Sequence, residues 1–297
     1  MPKIHDKVTG SIKPEWLKIR LRSGEDFARV SKIVEQHALN TICSSGMCPN
    51  KAECWARRTA TLMIMGDICT RSCRFCATNA GEPLPLNNSE PQKVAASIKL
   101  MGLGYCVVTS VTRDDLPDRG ASHWAATIKA IRKENPKTKI ELLIPDMDAS
   151  EHLLRIVVAA KPDVIGHNIE TVERLTPKVR SGADYRRSLR TISILSSLGV
   201  TVKSGIIVGL GENFNEVMQT LEELRMSGCD IVTIGQYLQP TKRHIPVAEY
   251  IHPDMFTLYR QKGMELGFAH IESGPLVRSS YMAENGFRKS LEHRGKA

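Results

Sequence analysis

Short apolar runs rich in β-branched residues recur along the chain, each separated from the next by a longer stretch of helical periodicity. Seven runs read as strands: 61–66, 105–110, 139–144, 163–167, 200–208, 230–235 and 268–272. They stay apolar instead of alternating, which marks strands buried on both faces, as in a parallel sheet. Ser89 and Gln92 have the spacing of a capping box ahead of a helix over 94–101, with Pro91 tolerated in its first turn. Helices over 184–198 and 213–227 run into Gly199 and Gly228, residues suited to the left-handed turn that ends a helix. Repeated βα units predict an α/β fold, a partial (β/α)6-type TIM barrel with N- and C-terminal extensions, and place its chemistry at the C-terminal ends of the strands.

Composition narrows the class without changing the fold. The chain has 297 residues, 41% hydrophobic and 25% charged, which excludes a disordered or fibrous protein. One domain with decorated ends is expected: an N-terminal extension over 1–60, a barrel over 61–272, and a tail over 273–297 that closes the barrel mouth. Lys and Arg exceed Asp and Glu by 41 − 32 = 9, a surplus suited to an acidic partner. The most apolar long stretch, 153–160, is interrupted by Arg155 and is far short of a membrane span. The first residues mix Lys, Asp and Glu and have neither the apolar core of a secretion signal nor the acid-free character of an import leader, so a cytoplasmic location is expected.

Eight cysteines carry the chemistry. Cys106 and Cys229 fall in or beside apolar runs and read as small buried hydrophobes. The other six lie within 34 residues as two triplets, Cys43-x4-Cys48-x5-Cys54 and Cys69-x3-Cys73-x2-Cys76. Structural zinc favours four ligands in closely spaced pairs, and no His lies between Cys43 and Cys76. Three thiolates instead suit a four-iron cluster with one iron left open to bind a substrate or cofactor, and two triplets imply two clusters.

The spacing of Cys69, Cys73 and Cys76 resembles that of the radical S-adenosylmethionine (SAM) superfamily. The resemblance implies a cluster whose open iron holds SAM and, once reduced, cleaves it to a 5′-deoxyadenosyl radical. Both triplets together, in this order, resemble the lipoyl synthase family. So do Pro83-Leu84-Pro85-Leu86, Arg113-Asp114-Asp115, His167-Asn168-Ile169-Glu170, Gly209-Leu210-Gly211-Glu212, Gln236-Tyr237-Leu238-Gln239-Pro240-Thr241 and Arg278-Ser279-Ser280-Tyr281. Thr112, where Asp is frequent, and Met282, where His often follows, depart from that family's pattern; neither is expected to touch a cluster ligand.

The resemblance implies lipoate biosynthesis: two sulfurs inserted at carbons six and eight of an octanoyl chain that is amide-linked to a lysine of a lipoyl carrier domain. It implies two 4Fe–4S clusters and SAM as cofactors. The second cluster, on Cys43, Cys48 and Cys54 with Ser280 as fourth ligand, would be consumed as the sulfur source. By analogy within the superfamily, Asn168 and Glu170 are candidates for the SAM ribose, Arg180 for its carboxylate, and Thr109 and Ser110 for its polar head. A backbone approach to the adenine is expected near Gly205, Gly209 and Gly211, whereas His167 is given no role. Expected partners are octanoylated carrier domains (E2 subunits of 2-oxoacid dehydrogenases, the glycine cleavage H protein), an electron donor such as ferredoxin or flavodoxin, and iron–sulfur carrier proteins; no nucleic acid or membrane is expected. Arg186, Arg187 and Arg190, and Lys242, Arg243 and His244, are candidates for docking an acidic carrier, with Arg57, Arg58 and Arg71 as alternatives. The rivals are a tRNA methylthiotransferase, disfavoured because no basic C-terminal module follows the barrel, biotin synthase, disfavoured by the first triplet, and an inert iron–sulfur carrier.

Overall fold

The computed structural model describes residues 13–18, 24–57 and 59–295. Helix α1 (Glu25–Gln36) is followed by β1 (Asn40–Thr41), α2 (Ile42–Ser45) and α3 (Lys51–Ala56). Strand β2 (Thr61–Ile64) leads into a loop bearing two short paired strands, β3 (Ile68–Cys69) and β4 (Asn79–Ala80). Alternation then sets in: α4 (Glu90–Met101), β5 (Tyr105–Ser110), α5 (Ala121–Glu134), β6 (Lys139–Leu143), α6 (Glu151–Ala159) and β7 (Val164–Gly166). It continues with α7 (Thr176–Val179), α8 (Tyr185–Ser197), β8 (Thr201–Val208), α9 (Phe214–Met226), β9 (Ile231–Gln236), α10 (Pro253–Glu265), β10 (His270–Gly274) and α11 (Ala283–Arg294).

All seven predicted strands are present, joined in the order β1-β2-β5-β6-β7-β8-β9-β10. Every pair is parallel except β1 with β2, and β1 and β10 remain the two edges, so the barrel is open. Every residue of β2 and β9 is buried, Thr233 and Gln236 included, as in strands covered on both faces. Asp184 and Asn213 cap α8 and α9, Asn213 in a full capping box with Glu216. The box expected at Ser89 and Gln92 does not form: Ser89 makes no capping bond and instead donates from N–H and Oγ to Asn87. Helix α4 still starts there, with Pro91 in its first turn and Gly102 in the left-handed conformation at its end.

The tail reaches both ends of the barrel. Residues 275–279 edge the C-terminal mouth, where Gln236 N–H donates to Pro275 O at 3.2 Å and Asn50 Nδ2 donates to Leu276 O at 2.7 Å. At Gly235 a Cβ would stand 2.0 Å from Val277 O, so only glycine lets the tail lie this close to β9. Helix α11 then packs against the first residues of the strands: Phe287 lies on Tyr105 with ring centroids 5.9 Å apart and joins Val107 and Val164, and Arg294 donates to Val200 O and Asp230. The N-terminal end is thereby filled, above which Lys203 and Glu141 form a buried ion pair at 2.6 Å. Among the described residues, no helix is long and apolar enough to cross a membrane.

Candidate active site

A cavity of about 450 Å³ opens at the C-terminal ends of the strands, a volume in the usual range for small-molecule sites. Cys69, Cys73 and Cys76 line one side. Gly46, Met47 and Pro49, which flank Cys48, line it too, together with Val277, Arg278 and Ser279. Sequences some two hundred residues apart thus face one space.

The loop between β2 and α4 is fastened at several points. Arg74 N–H donates to Val179 O, Ile245 N–H to Arg74 O, and His244 Nε2 lies 3.0 Å from Cys76 O. Two backbone donors, Arg71 N–H at 3.4 Å and Thr112 N–H at 3.3 Å, point at Cys69 Sγ. Thr112 therefore does touch a predicted cluster ligand, contrary to the sequence expectation, but through its main chain, which a change of side chain leaves in place. Burial pushes the Cys73 thiol up to about 12 and raises Cys76, so these sulfurs become thiolates when a metal displaces their protons.

Arg71 is the residue whose role the sequence hid. Its side chain is 8% exposed and its guanidinium binds Asp114 at 2.7 and 3.0 Å and Asp146 at 2.8 and 2.9 Å, which rules it out as a docking residue. Arg187 also reaches Asp146, at 3.0 Å. Burial opposes the Asp146 charge, but Arg71 outweighs it and holds the carboxyl well below its usual range.

The predicted SAM residues line the same cavity, Glu170 and Arg180 within electrostatic reach of Cys73. Asn168 Nδ2 donates to Glu170 Oε1 at 3.0 Å, and both line the cavity with Arg180. Glu170 has φ of 66°, a strained left-handed conformation for a non-glycine residue, held by backbone bonds to Gly205 and Ile207. Burial raises Glu170 and lowers Arg180, while their opposite charges work against both shifts. Arg180 Nη1 also donates to Ile169 O and Ser188 Oγ, which fixes its position. The Thr109 hydroxyl is committed to Leu143 O at 3.0 Å, whereas Ser110 Oγ, on the cavity wall, is buried without a partner among the described residues. A Cβ on Gly205 would stand 2.9 Å from Asn168 Oδ1; Gly209 instead packs on Gln236 and Glu249, and Gly211 lies beside Ala248. His167 is satisfied on both ring nitrogens, by Ile144 O and Ser188 Oγ.

The first triplet is folded around short helices. Cys43 is buried in α2, Cys54 belongs to α3, and Cys48 lies between, its N–H donating to Cys43 O. The three thiols sense one another's charge; burial, helped by this proximity, pushes Cys54 up to about 12. Tyr281 lies against α3, its hydroxyl 3.4 Å from Glu53, which brings Ser280 to the same region; Ser279, not Ser280, lines the cavity. Among the described residues, no three His, Cys, Asp or Glu converge on one metal ion. A four-iron cluster asks for something else, soft donors each reaching a different iron, and both triplets offer that donor set. Cys106 and Cys229 are buried between strand and helix, as expected of structural cysteines.

Residues 63–224 match the sequence profile of the Radical SAM superfamily. A lipoyl synthase from Bacteroides fragilis is 55% identical over 276 residues, covering 93% of this chain and 96% of its own length. This chain belongs to the lipoyl synthase family. Another lipoyl synthase, from Flavobacterium johnsoniae, is 52% identical over 92% of this chain and 95% of its own. Among solved structures, methylornithine synthase aligns with TM-score 0.53 at 13% identity, over 89% of this chain and 80% of that one. The hydrogenase maturase HydG aligns with TM-score 0.54 at 13% identity, over 89% and 74%. Likeness at that identity shows the shared fold alone. As a radical SAM lipoyl synthase, the chain is a sulfur-inserting enzyme that works with a four-iron cluster and SAM.

Of the proposed docking cations, Arg186 is paired with Glu173 and Glu223, and Arg187 with Asp146 and Asp148. Lys242 and Arg243 are exposed beside the cavity residues Gln239 and Pro240. Arg58 lies outside the described residues.

Proposed function

We propose that the cavity receives an octanoyl chain carried on a lysine of a lipoyl carrier domain, and that two clusters flank it, one on Cys69, Cys73 and Cys76 and one on Cys43, Cys48, Cys54 and Ser280. The observation that supports this reading is the shared cavity: one triplet lines it directly, and the other reaches it through Gly46, Met47 and Pro49. Carbons six and eight of an octanoyl chain bear no activating group, so acid–base chemistry cannot open their C–H bonds and a cofactor must supply the hard step. When bound, SAM on the first cluster supplies a radical that abstracts those hydrogens, and the second cluster supplies sulfur.

The residues of this chain position and protect. Arg180 is suited to the SAM carboxylate, Asn168 and Glu170 to its ribose hydroxyls, and the unpartnered Ser110 hydroxyl to a polar atom of its head; Thr109, already bonded to Leu143, serves the wall. Met63, Leu143, Ile207 and Val277 give the cavity an apolar side along which an alkyl chain lies out of water. Lys242 and Arg243 at the rim suit an acidic carrier domain, such as an E2 lipoyl domain or the glycine cleavage H protein. Electrons from ferredoxin or flavodoxin, and iron–sulfur carriers to restore the spent cluster, complete the cycle.

The test is anaerobic incubation of the reconstituted enzyme with SAM, a strong reductant and an octanoylated peptide, read by mass. Wild type should add two sulfurs. With Cys43, Cys48 and Cys54 replaced by Ala, 5′-deoxyadenosine should still form but no sulfur should be transferred; sulfur insertion by that variant defeats the division of labour.

A further inference from the structure

Among the described residues, Arg278 is a cation with no carboxylate, and its guanidinium makes one hydrogen bond, from Nη1 to the neighbouring Val277 O at 2.6 Å. The residue is partly buried on the cavity wall, where Cys48 of the first triplet is the charged group that acts on it. Its backbone is gripped on two sides. Asn50, at the start of the helix bearing Cys54, holds Leu276 O, and Gly235 admits Val277 O against the end of β9. A Cβ on Gly235 would also stand 3.3 Å from Arg278 Nη1. The fold therefore spends rigid structure on holding a partly buried positive charge beside the first cysteine triplet and on the cavity wall.

A charge drawn partly out of water without a partner costs a fold stability, and a site for an anion is where such a cation gains one. Thiolate-ligated iron–sulfur clusters are anionic overall, and hydrogen bonds to their sulfurs and nearby charge set their potentials. We propose that Arg278 is the positioning residue of the auxiliary cluster: its guanidinium neutralises the cluster's negative charge and hydrogen-bonds its sulfur, fixing its potential and its retention. This rests on the reading that Cys43, Cys48 and Cys54 hold a cluster. The guanidinium is suited to the task because its planar set of donors can serve more than one sulfur, which a lysine ammonium cannot match.

The experiment uses the full chain with Cys69, Cys73 and Cys76 replaced by Ala, so that only the auxiliary cluster can form. Iron and acid-labile sulfide in this background test the underlying reading; finding no cluster there rejects that reading, whatever Arg278 does. Given a cluster, Arg278→Gln should lower its midpoint potential and speed loss of iron to a chelator about tenfold or more, with Arg278→Lys recovering part of the potential but little of the retention. The metal-free protein must move the other way: Arg278→Gln should raise its melting temperature, because the unpaired cation is gone. A residue that merely packs would lower stability in both states. Unchanged potential and iron retention in Arg278→Gln, or a metal-free Arg278→Gln protein that melts lower than its parent, overturns the proposal.

Discussion

At the scale of single residues, the structure separates side chains that only look reactive from those that are poised. His167 sits beside Asn168 and Glu170 on the cavity wall, yet both of its nitrogens are engaged. Burial first, and then the nearby Arg180 charge, bring its pKa down from 6.5 to about 4. The fold keeps the ring neutral while the unfolded chain protonates at ordinary acidity, so stability is intact above about pH 6.5 and is lost as pH falls toward 4, by up to about 3 kcal/mol. Denaturant titrations of the metal-free protein at a series of pH values should show this loss, and His167→Gln should flatten it; an unchanged slope in that variant assigns the loss to other groups. The neutral, structural His167 was legible from its place at the end of an apolar run. The left-handed Glu170 was not, since nothing in the residue type foretells a conformation that only its bonds to β8 impose.

At the scale of elements, the predicted strands agree with those observed because each is rich in apolar, β-branched residues, a signal that depends on little beyond local sequence, even where Glu141 and Lys203 interrupt it. The cysteine spacing was equally plain. What sequence could not convey is how the loop carrying Cys69, Cys73 and Cys76 is held still, since Arg71, Asp114 and Asp146 come from three different connections. Arg71 reads as surface charge until the fold brings two carboxylates to it. Removing it leaves Asp146, fully buried, without its main countercharge, a loss of roughly 3–5 kcal/mol. Arg71→Ala should therefore destabilise the metal-free chain by that amount. It should also weaken iron binding at the first site about 10–100-fold, measured with Cys43, Cys48 and Cys54 replaced by Ala. Arg71→Lys should recover little, because one ammonium cannot reproduce paired bonds to two carboxylates.

At the scale of the whole molecule, an open barrel needs its interior filled where the chemistry is not. Helix α11 does this at the N-terminal end with Phe287, Gly286 and Ala283, and the apolar surface it covers includes Tyr105 and Val164. Phe287→Ala should cost about 3–5 kcal/mol in denaturant unfolding of the metal-free enzyme, while SAM cleavage at temperatures well below the transition stays near wild type. Equal stability of the variant would mean that the helix is an ornament. This plug was hidden in the sequence, because α11 is mostly polar and its few apolar positions resemble those of any surface helix. The bond from Asn50 to Leu276 joins residues 226 positions apart. A ribosome must therefore release the chain through at least Leu276 before the cleft acquires its last wall. A product cut short before Leu276 retains all six clustered cysteines yet lacks a closed chamber, so iron delivered to it meets an open cleft.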